Sequence, residues 1–175
     1  MWNGIRGKTA RSPDLFHRRV GPAGLRSTIV LLAASLAAAA ASAQAPRVVD
    51  VPTRPGVTQR FLYLPAKAPV AAAILFAGGH GGLAIRPDGQ FGWGHGNFLV
   101  RTRGLFAERG VSVAVIDAPS DRQAEPWLGR FRQTKEHAAD VKAVVEWLRA
   151  ETTLPAWPVG TSRGRQSAAW LALAS

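Results

Sequence analysis

The chain has 175 residues, a length that fits one domain, and its 47% hydrophobic and 19% charged residues are ordinary for a globular protein. It carries a formal net charge of +11 at pH 7, but its basic residues form no block interleaved with aromatic residues, so the sequence gives little support to nucleic-acid binding. The sequence contains no cysteine, which excludes disulfides, thiolate metal sites and a cysteine nucleophile.

The first 43 residues have the three-part pattern of a secretory signal peptide. Basic residues between Arg6 and Arg26 precede an apolar run at residues 27–43, which ends in an A-x-A cleavage pattern. The run is shorter than the roughly 20 residues that a bilayer span needs, which argues against a membrane anchor. We therefore predict cleavage near Ala43, a periplasmic or secreted product, and no stable membrane insertion after cleavage.

This leader is longer than an ordinary signal peptide of roughly 15 to 30 residues, which suggests that translation begins later, for example at Val20 or Leu25. The leader also holds six of the 22 basic residues and one of the 11 acidic residues, so the net charge of the rest is +6. About half of the basic excess therefore belongs to targeting.

From residue 44 onward, we assign residues 44–57 to a linker and residues 58–175 to one domain. Residues 58–65 alternate loosely between polar and apolar side chains, as a half-buried strand does. Residues 70–77 form an unbroken apolar run, which is typical of a strand covered on both faces. A glycine-rich stretch, GGHGG, follows at residues 78–82.

Helix and strand patterns continue to alternate after this stretch. A helix with an apolar face is predicted to end at Gly110, and residues 111–116 form another apolar strand. Thr134 is placed to cap a second helix, which has a stripe of valine and leucine at helical spacing. Residues 156–159 form a short strand before a last helical stretch, and Pro158 within it removes one backbone donor, so we expect a very short strand.

The alternation predicts an α/β fold with a mostly parallel sheet and flanking helices. In such sheets, sites lie outside the carboxyl ends of the strands. Residues 78–82, 117–122 and 160–164 fall there.

The last of these segments is GTSRG, a G-x-S-x-G pattern centred on Ser162. A serine on a tight strand-to-helix turn needs small residues at Gly160 and Gly164, because side chains there would collide with the neighbouring strand or helix. The turn exposes the serine hydroxyl, and the following helix directs its positive end at developing negative charge. The backbone N–H of Arg163 is one candidate oxyanion donor, and we choose Gly79 in the GGHGG loop as the second. The simpler explanation of Ser162 is an ordinary turn serine.

The segments LFAGGHGG, VAVIDAPSDR and VGTSRG together resemble the α/β-hydrolase superfamily, and more loosely its exported bacterial members of the dienelactone-hydrolase type. The resemblance runs from about residue 58 to the end and corresponds to the N-terminal half of the family's fold. It implies hydrolysis of an ester, lactone or similar acyl bond through an acyl-enzyme, with Ser162 as nucleophile and no metal or organic cofactor. A small ester-like molecule is then the expected substrate, and the oligomeric state is left open.

The family's acid and histidine follow the serine in chain order. We therefore expect a loop or capping role for Asp117 and a structural or substrate-facing role for His80. His95 and His137 are single histidines without further potential metal ligands in a metal-binding pattern, and we expect both to be solvated or structural. Three aromatic residues could line an apolar pocket, although loop or core roles fit them equally well: Phe91, Trp93 and Trp127.

No histidine or acidic residue follows Ser162 in this sequence. We interpret the chain as a C-terminally truncated copy of a longer hydrolase, and expect these 175 residues alone to be inactive or nearly so. The alternative is a non-catalytic exported α/β domain with a binding role. Neither glycine-rich segment matches a nucleotide-binding pattern, so nucleotide binding is not expected.

Overall fold

A five-stranded mixed sheet forms the centre of the computed structural model, which describes residues 45–174. The strand order across the sheet is β1-β2-β4-β3-β5. The predicted signal peptide lies outside the described residues. The strands are β1 (Arg47–Arg54), β2 (Val57–Leu64), β3 (Ala71–Phe76), β4 (Val111–Ile116) and β5 (Ala156–Gly160); the helices are α1 (Phe98–Glu108), α2 (Lys135–Thr152) and α3 (Gly164–Ala174), with a 3₁₀ turn at Ser120–Arg122.

The predicted α/β class is confirmed, and the parallel part of the sheet carries the candidate site. Strand β3 pairs in parallel with both β4 and β5, whereas β2 pairs antiparallel with β1 and β4. The sheet is therefore mixed, and both of its antiparallel pairs involve β2. No helix within residues 45–174 has the length and apolar character needed to cross a membrane.

The assignment of residues 44–57 to a linker was wrong, because Arg47–Arg54 form strand β1. This strand pairs antiparallel along β2, and Asp50 forms an ion pair with Arg60 on that neighbour at 2.7 Å. Val51 is its one buried residue, and Pro52 adjoins a shift in register. A strand that buries so little has no clear period of two in its sequence, which is why the pattern did not reveal it.

Both faces of the sheet are covered, as the unbroken apolar run of β3 predicts. Leu75 points into the core under α1, whereas Ile74 and Phe76 point into the core under α2 and α3. All three side chains have 1% of their surface exposed or less. The pattern of a strand buried on both faces is confirmed.

The two predicted helix signals also act as expected. The side chain of Thr134 accepts a hydrogen bond from the backbone N–H of His137 at 3.2 Å and so caps α2. Helix α1 begins after Asn97, whose side chain accepts from the N–H of Leu99 at 3.2 Å. It ends before Gly110, which has a φ of +79°.

Strand β5 lies at an edge of the described sheet, and Pro158 faces that edge. The N–H of Ala72 donates to the carbonyl of Pro155 at 3.1 Å, and the N–H of Thr161 donates to Phe76 at 3.5 Å. In a parallel ladder, alternate residues of a strand bond to the same neighbour, so the odd-numbered residues of β5 bond to β3. The nitrogen of Pro158 points the other way, and the proline removes no bond to β3.

Candidate active site

The parallel strands bring two of the predicted segments together at their carboxyl ends. Gly78 follows β3 and lies directly beside Ser162, which follows β5. A Cβ built on Gly78 would lie 3.1 Å from the Cβ of Ser162 and 3.2 Å from the carbonyl oxygen of Thr161. The glycine-rich loop and the serine turn therefore form one surface.

Ser162 occupies a left-handed backbone conformation, with a φ of 50°. Non-glycine residues rarely adopt this conformation, and such strain persists where the surrounding structure imposes it. The turn is closed by the N–H of Gly164 donating to Thr161 at 2.8 Å and by the N–H of Arg165 donating to Ser162 at 3.2 Å. Ser162 itself is exposed. The predicted turn between β5 and α3 is thus present, and the serine lies on it.

The two glycines of the motif lie where side chains do not fit. A Cβ on Gly160 would collide with the backbone of Gly164 and Arg165 at the start of α3. A Cβ on Gly164 would collide with the backbone of Phe76 and Ala77 at the end of β3. The requirement for small residues on both sides of the serine is therefore confirmed.

The amino terminus of α3 leaves donors available beside the serine. Among residues 45–174, no group accepts a hydrogen bond from the Arg163 backbone N–H. The first turn of α3 contains no acidic side chain that would offset the positive end of the helix dipole. An anionic oxygen near Ser162 would find an unoccupied donor and a favourable potential there.

Gly79, the second predicted donor, follows Gly78 with a φ of +67°. It is exposed, and a Cβ on it would come within 2.6 Å of the Trp93 ring. A side chain at this position would be strained by the backbone and blocked by the indole. Glycine is therefore favoured at this position.

His80 packs between two indole rings beside this loop. Its ring centroid lies 3.9 Å from that of Trp93 and 4.9 Å from that of Trp127. Its Nδ1 accepts a hydrogen bond from the N–H of Gly82 at 3.1 Å. These contacts hold the His80 ring in place, and none of them involves Ser162. Phe91, in contrast, is 5% exposed and belongs to the core under α1.

Asp117 organises the next part of the loop. Its carboxylate accepts hydrogen bonds from the backbone N–H groups of Leu83 at 2.6 Å, Ile85 at 2.8 Å and Ala118 at 2.8 Å, with a longer one from Ala84. The side chain is 3% exposed. The loop role expected for Asp117 is what the structure shows.

The other histidines lie apart from the serine. His95 is exposed, whereas His137 is 2% exposed and packs edge-on against Phe76 and Phe131. Within the described residues, neither ring nitrogen of His137 has a hydrogen-bond partner. Burial, and to a lesser extent the charge of Arg132, lowers the pKa of His137 to about 4. His137 is therefore a neutral core residue at pH 7.

The described residues supply Ser162 with no base. No imidazole or carboxylate between residues 45 and 174 forms a hydrogen bond with its hydroxyl. In the same range, no group of three or more histidine, aspartate or glutamate side chains could hold a metal ion. The chemistry that the site offers is a strained serine with backbone donors nearby.

Sequence reasoning missed Arg132, whose buried guanidinium group forms hydrogen bonds with elements of this site. The side chain is buried with 4% of the residue exposed, and it donates to Ser167 on α3 and to the carbonyls of Ala77 and Gly79 at the start of the glycine-rich loop. A single arginine between Phe131 and Gln133 has no distinctive pattern in the sequence. Its partners are mostly backbone atoms, which leave no signature.

No protein-family model and no curated protein matches this sequence. Solved structures do match. The protein DcsB, in complex with its substrate analogue, has a TM-score of 0.56 and 17% identity over 75% of this chain and 42% of its own. A zinc-bound cold-adapted esterase from an Arctic intertidal metagenomic library has a TM-score of 0.51 and 17% identity over 74% of this chain and 53% of its own. The α/β hydrolase GrgF from Penicillium sp. sh18 has a TM-score of 0.42 and 20% identity over 66% and 38%.

The first two likenesses, with TM-scores above 0.5, show the fold alone: the described residues form part of an α/β-hydrolase fold. The chain spans about half the length of the first two structures, 42% and 53%. A shared fold at this level of identity does not fix the function, which has to be argued from the site.

Proposed function

We propose that Ser162 is the nucleophile of a serine hydrolase that acts on ester, lactone or similar acyl bonds. The observation that carries the proposal is the strained, exposed serine on a turn whose flanking glycines touch backbone on both sides. An ordinary turn serine has no need of this arrangement. One of the matching structures is named an esterase, which favours an ester as the substrate class.

In the proposed reaction, the Ser162 hydroxyl oxygen attacks the substrate carbonyl carbon. The carbonyl oxygen becomes an oxyanion that accepts hydrogen bonds from the N–H groups of Arg163 and Gly79. The bond to the alcohol leaving group then breaks, and the proton lost by the serine passes to that alcohol through a base. Water hydrolyses the resulting acyl-serine and releases the acid.

The base is the part of this reaction that the described residues do not provide. A serine hydroxyl without a base is a poor nucleophile, even beside an oxyanion hole. We therefore propose that the 175 residues alone react slowly, and that they correspond to the nucleophile-bearing part of an exported, dienelactone-hydrolase-like enzyme. The predicted leader supports export to the periplasm or beyond.

A fluorescent fluorophosphonate probe tests the assignment of the nucleophile. We expect slow labelling over hours that the Ser162→Ala variant loses. The matched control is Ser120→Ala, which removes an exposed serine in the 3₁₀ turn and should label like the wild type. Labelling that survives Ser162→Ala would sink the assignment, and complete labelling within seconds would contradict the absence of a base.

A non-catalytic exported domain is the second candidate, and the lack of a base beside Ser162 is the observation that favours it. A binding domain would bind ester-like ligands without covalent reaction. If the folded wild-type protein shows no adduct by intact mass after a day with the probe, this candidate replaces the hydrolase.

A further inference from the structure

We propose that Arg132 is a positioning residue that fixes the glycine-rich loop at residues 78–82, the proposed oxyanion loop, relative to Ser162. The proposal rests on the proposed function and concerns how the same site is held in shape. The guanidinium group contacts both halves of the site, the loop after β3 and the helix after Ser162.

The contacts of Arg132 with the loop flank the candidate donor. Its Nη2 donates to the carbonyl of Ala77 at 3.1 Å and makes a longer contact with the carbonyl of Gly79 at 3.5 Å. These two carbonyls belong to the peptide units before and after the Gly78–Gly79 peptide. That middle peptide carries the Gly79 N–H, so the guanidinium holds the unit on each side of the proposed oxyanion donor.

This support matters because both residues of the middle peptide are glycines. Glycine has more backbone freedom than any other residue, and an oxyanion donor is effective only when it is held in place before the reaction. The loop has little internal bonding of its own, apart from the bond between the Gly82 N–H and His80. Leu128 adds one further tie, because its N–H donates to the carbonyl of His80 at 3.1 Å.

The second half of the contact reaches the nucleophile helix. The Nη1 of Arg132 donates to the hydroxyl of Ser167 at 2.9 Å, and Ser167 lies on α3 with 1% of its surface exposed. One rigid, planar group thus sets the distance between the loop and the helix that begins after Ser162. The fork geometry of arginine suits this role, whereas lysine has a single point of attachment.

The environment of Arg132 is unusual for a residue with a purely structural role. Its hydrogen-bond partners are a hydroxyl and backbone carbonyls, and among residues 45–174 no carboxylate forms an ion pair with this buried cation. Burial, together with the nearby charge of Arg163, lowers the pKa of Arg132 to about 10, which leaves it protonated at pH 7. A buried charge without a counter-ion reduces stability. It also adds positive potential where the oxyanion would form.

Backbone NMR relaxation tests the positioning without any need for catalysis. In the wild type we expect order parameters near 0.85 for the N–H groups of Gly78 and Gly79, and in Arg132→Met values below about 0.6. The control is Arg103→Met, which removes a partly buried arginine on α1 that also donates to a backbone carbonyl. Order parameters that stay near 0.85 in a folded Arg132→Met protein would overturn the proposal.

Labelling rates add a readout that a purely structural role would not move. We expect Arg132→Met to slow fluorophosphonate labelling of Ser162 by about tenfold to a hundredfold, and Arg132→Lys to recover part of the loss. If Arg132→Met does not fold, Ser167→Ala takes its place, since it keeps the arginine and removes its tie to α3. Unchanged labelling in a folded variant with a mobile loop would also overturn the proposal.

The two claims fail in different ways. If wild-type Ser162 does not react at all, the hydrolase assignment fails, while the relaxation data still decide whether Arg132 holds the loop. If Ser162 reacts and the order parameters of the loop do not change in Arg132→Met, only the positioning role fails.

Discussion

Gly164 lies so close to Phe76 that a Cβ on the glycine would collide with the carbonyl group that ends β3. The contact places the start of α3 directly against the central strand of the parallel half of the sheet. It brings the serine turn next to the loop that follows β3. The motif glycine is therefore a packing requirement of the site.

Gly164→Ala is expected to destabilise the fold by roughly 2 to 4 kcal/mol, because the clash is with backbone that cannot move aside. Gly104→Ala is the matched control. Gly104 lies within α1 with nothing within 4 Å of the site of its Cβ, so alanine there should stabilise by about 0.5 to 1 kcal/mol. Urea denaturation of both variants gives the two free energies. Similar values for the two substitutions would contradict the packing argument.

Ser162→Gly is expected to raise the free energy of unfolding by about 1 kcal/mol while abolishing labelling. Glycine relieves the left-handed strain at φ 50°, whereas Ser162→Ala removes the hydroxyl and keeps the strain. Thermal or urea denaturation of the two variants separates the effects. Equal stability of the glycine and alanine variants would show that the turn is not strained.

Asp117→Ala is expected to destabilise by roughly 2 to 4 kcal/mol, because it leaves several buried backbone N–H groups without their acceptor. Asp117→Asn should lose less stability, since its amide oxygen can still accept hydrogen bonds from the backbone N–H groups. The comparison variant is Asp88→Ala, which removes an exposed carboxylate that accepts one bond from the Gln90 N–H. A loss in Asp117→Ala no larger than in Asp88→Ala would contradict the loop role.

His137 gives the protein an acid-sensitive core. Its pKa is about 4 in the folded protein, below the ordinary value of 6.5, so the unfolded chain binds a proton in this interval that the folded one does not. The contribution of neutral His137 to the free energy of unfolding is fully present above about pH 6.5. It is lost as the pH falls to about 4, by roughly 3 kcal/mol in total. Denaturation of the wild type and of His137→Leu across this range measures it. If the free energy of unfolding of His137→Leu falls with pH as steeply as that of the wild type, His137 is not the cause.

Much of the fold could be predicted from local patterns. The run of β3 is apolar at every position because the strand is buried on both faces, and the cap at Thr134 follows from its own side chain. Ser162 could be found because the tight turn around it leaves no room for side chains at the two motif glycines. In each case, the signal and its cause lie within a few residues.

What could not be predicted depends on distant partners. Strand β1 buries little besides Val51 and is defined by its pairing with β2, which no local period encodes. Arg132 is recognised by its bonds to carbonyls more than 50 residues earlier in the chain. His80 lies between Trp93 and Trp127, which the fold brings together from separate loops.

The central claim is that Ser162 is the reactive serine of this fold. The most direct measurement is the site of the fluorophosphonate adduct, read by peptide mass spectrometry after long incubation of the folded protein. We predict that the adduct on Ser162 exceeds that on the exposed Ser120 by at least about tenfold, because backbone donors stabilise the transition state at Ser162. An adduct spread equally over both serines would contradict the claim.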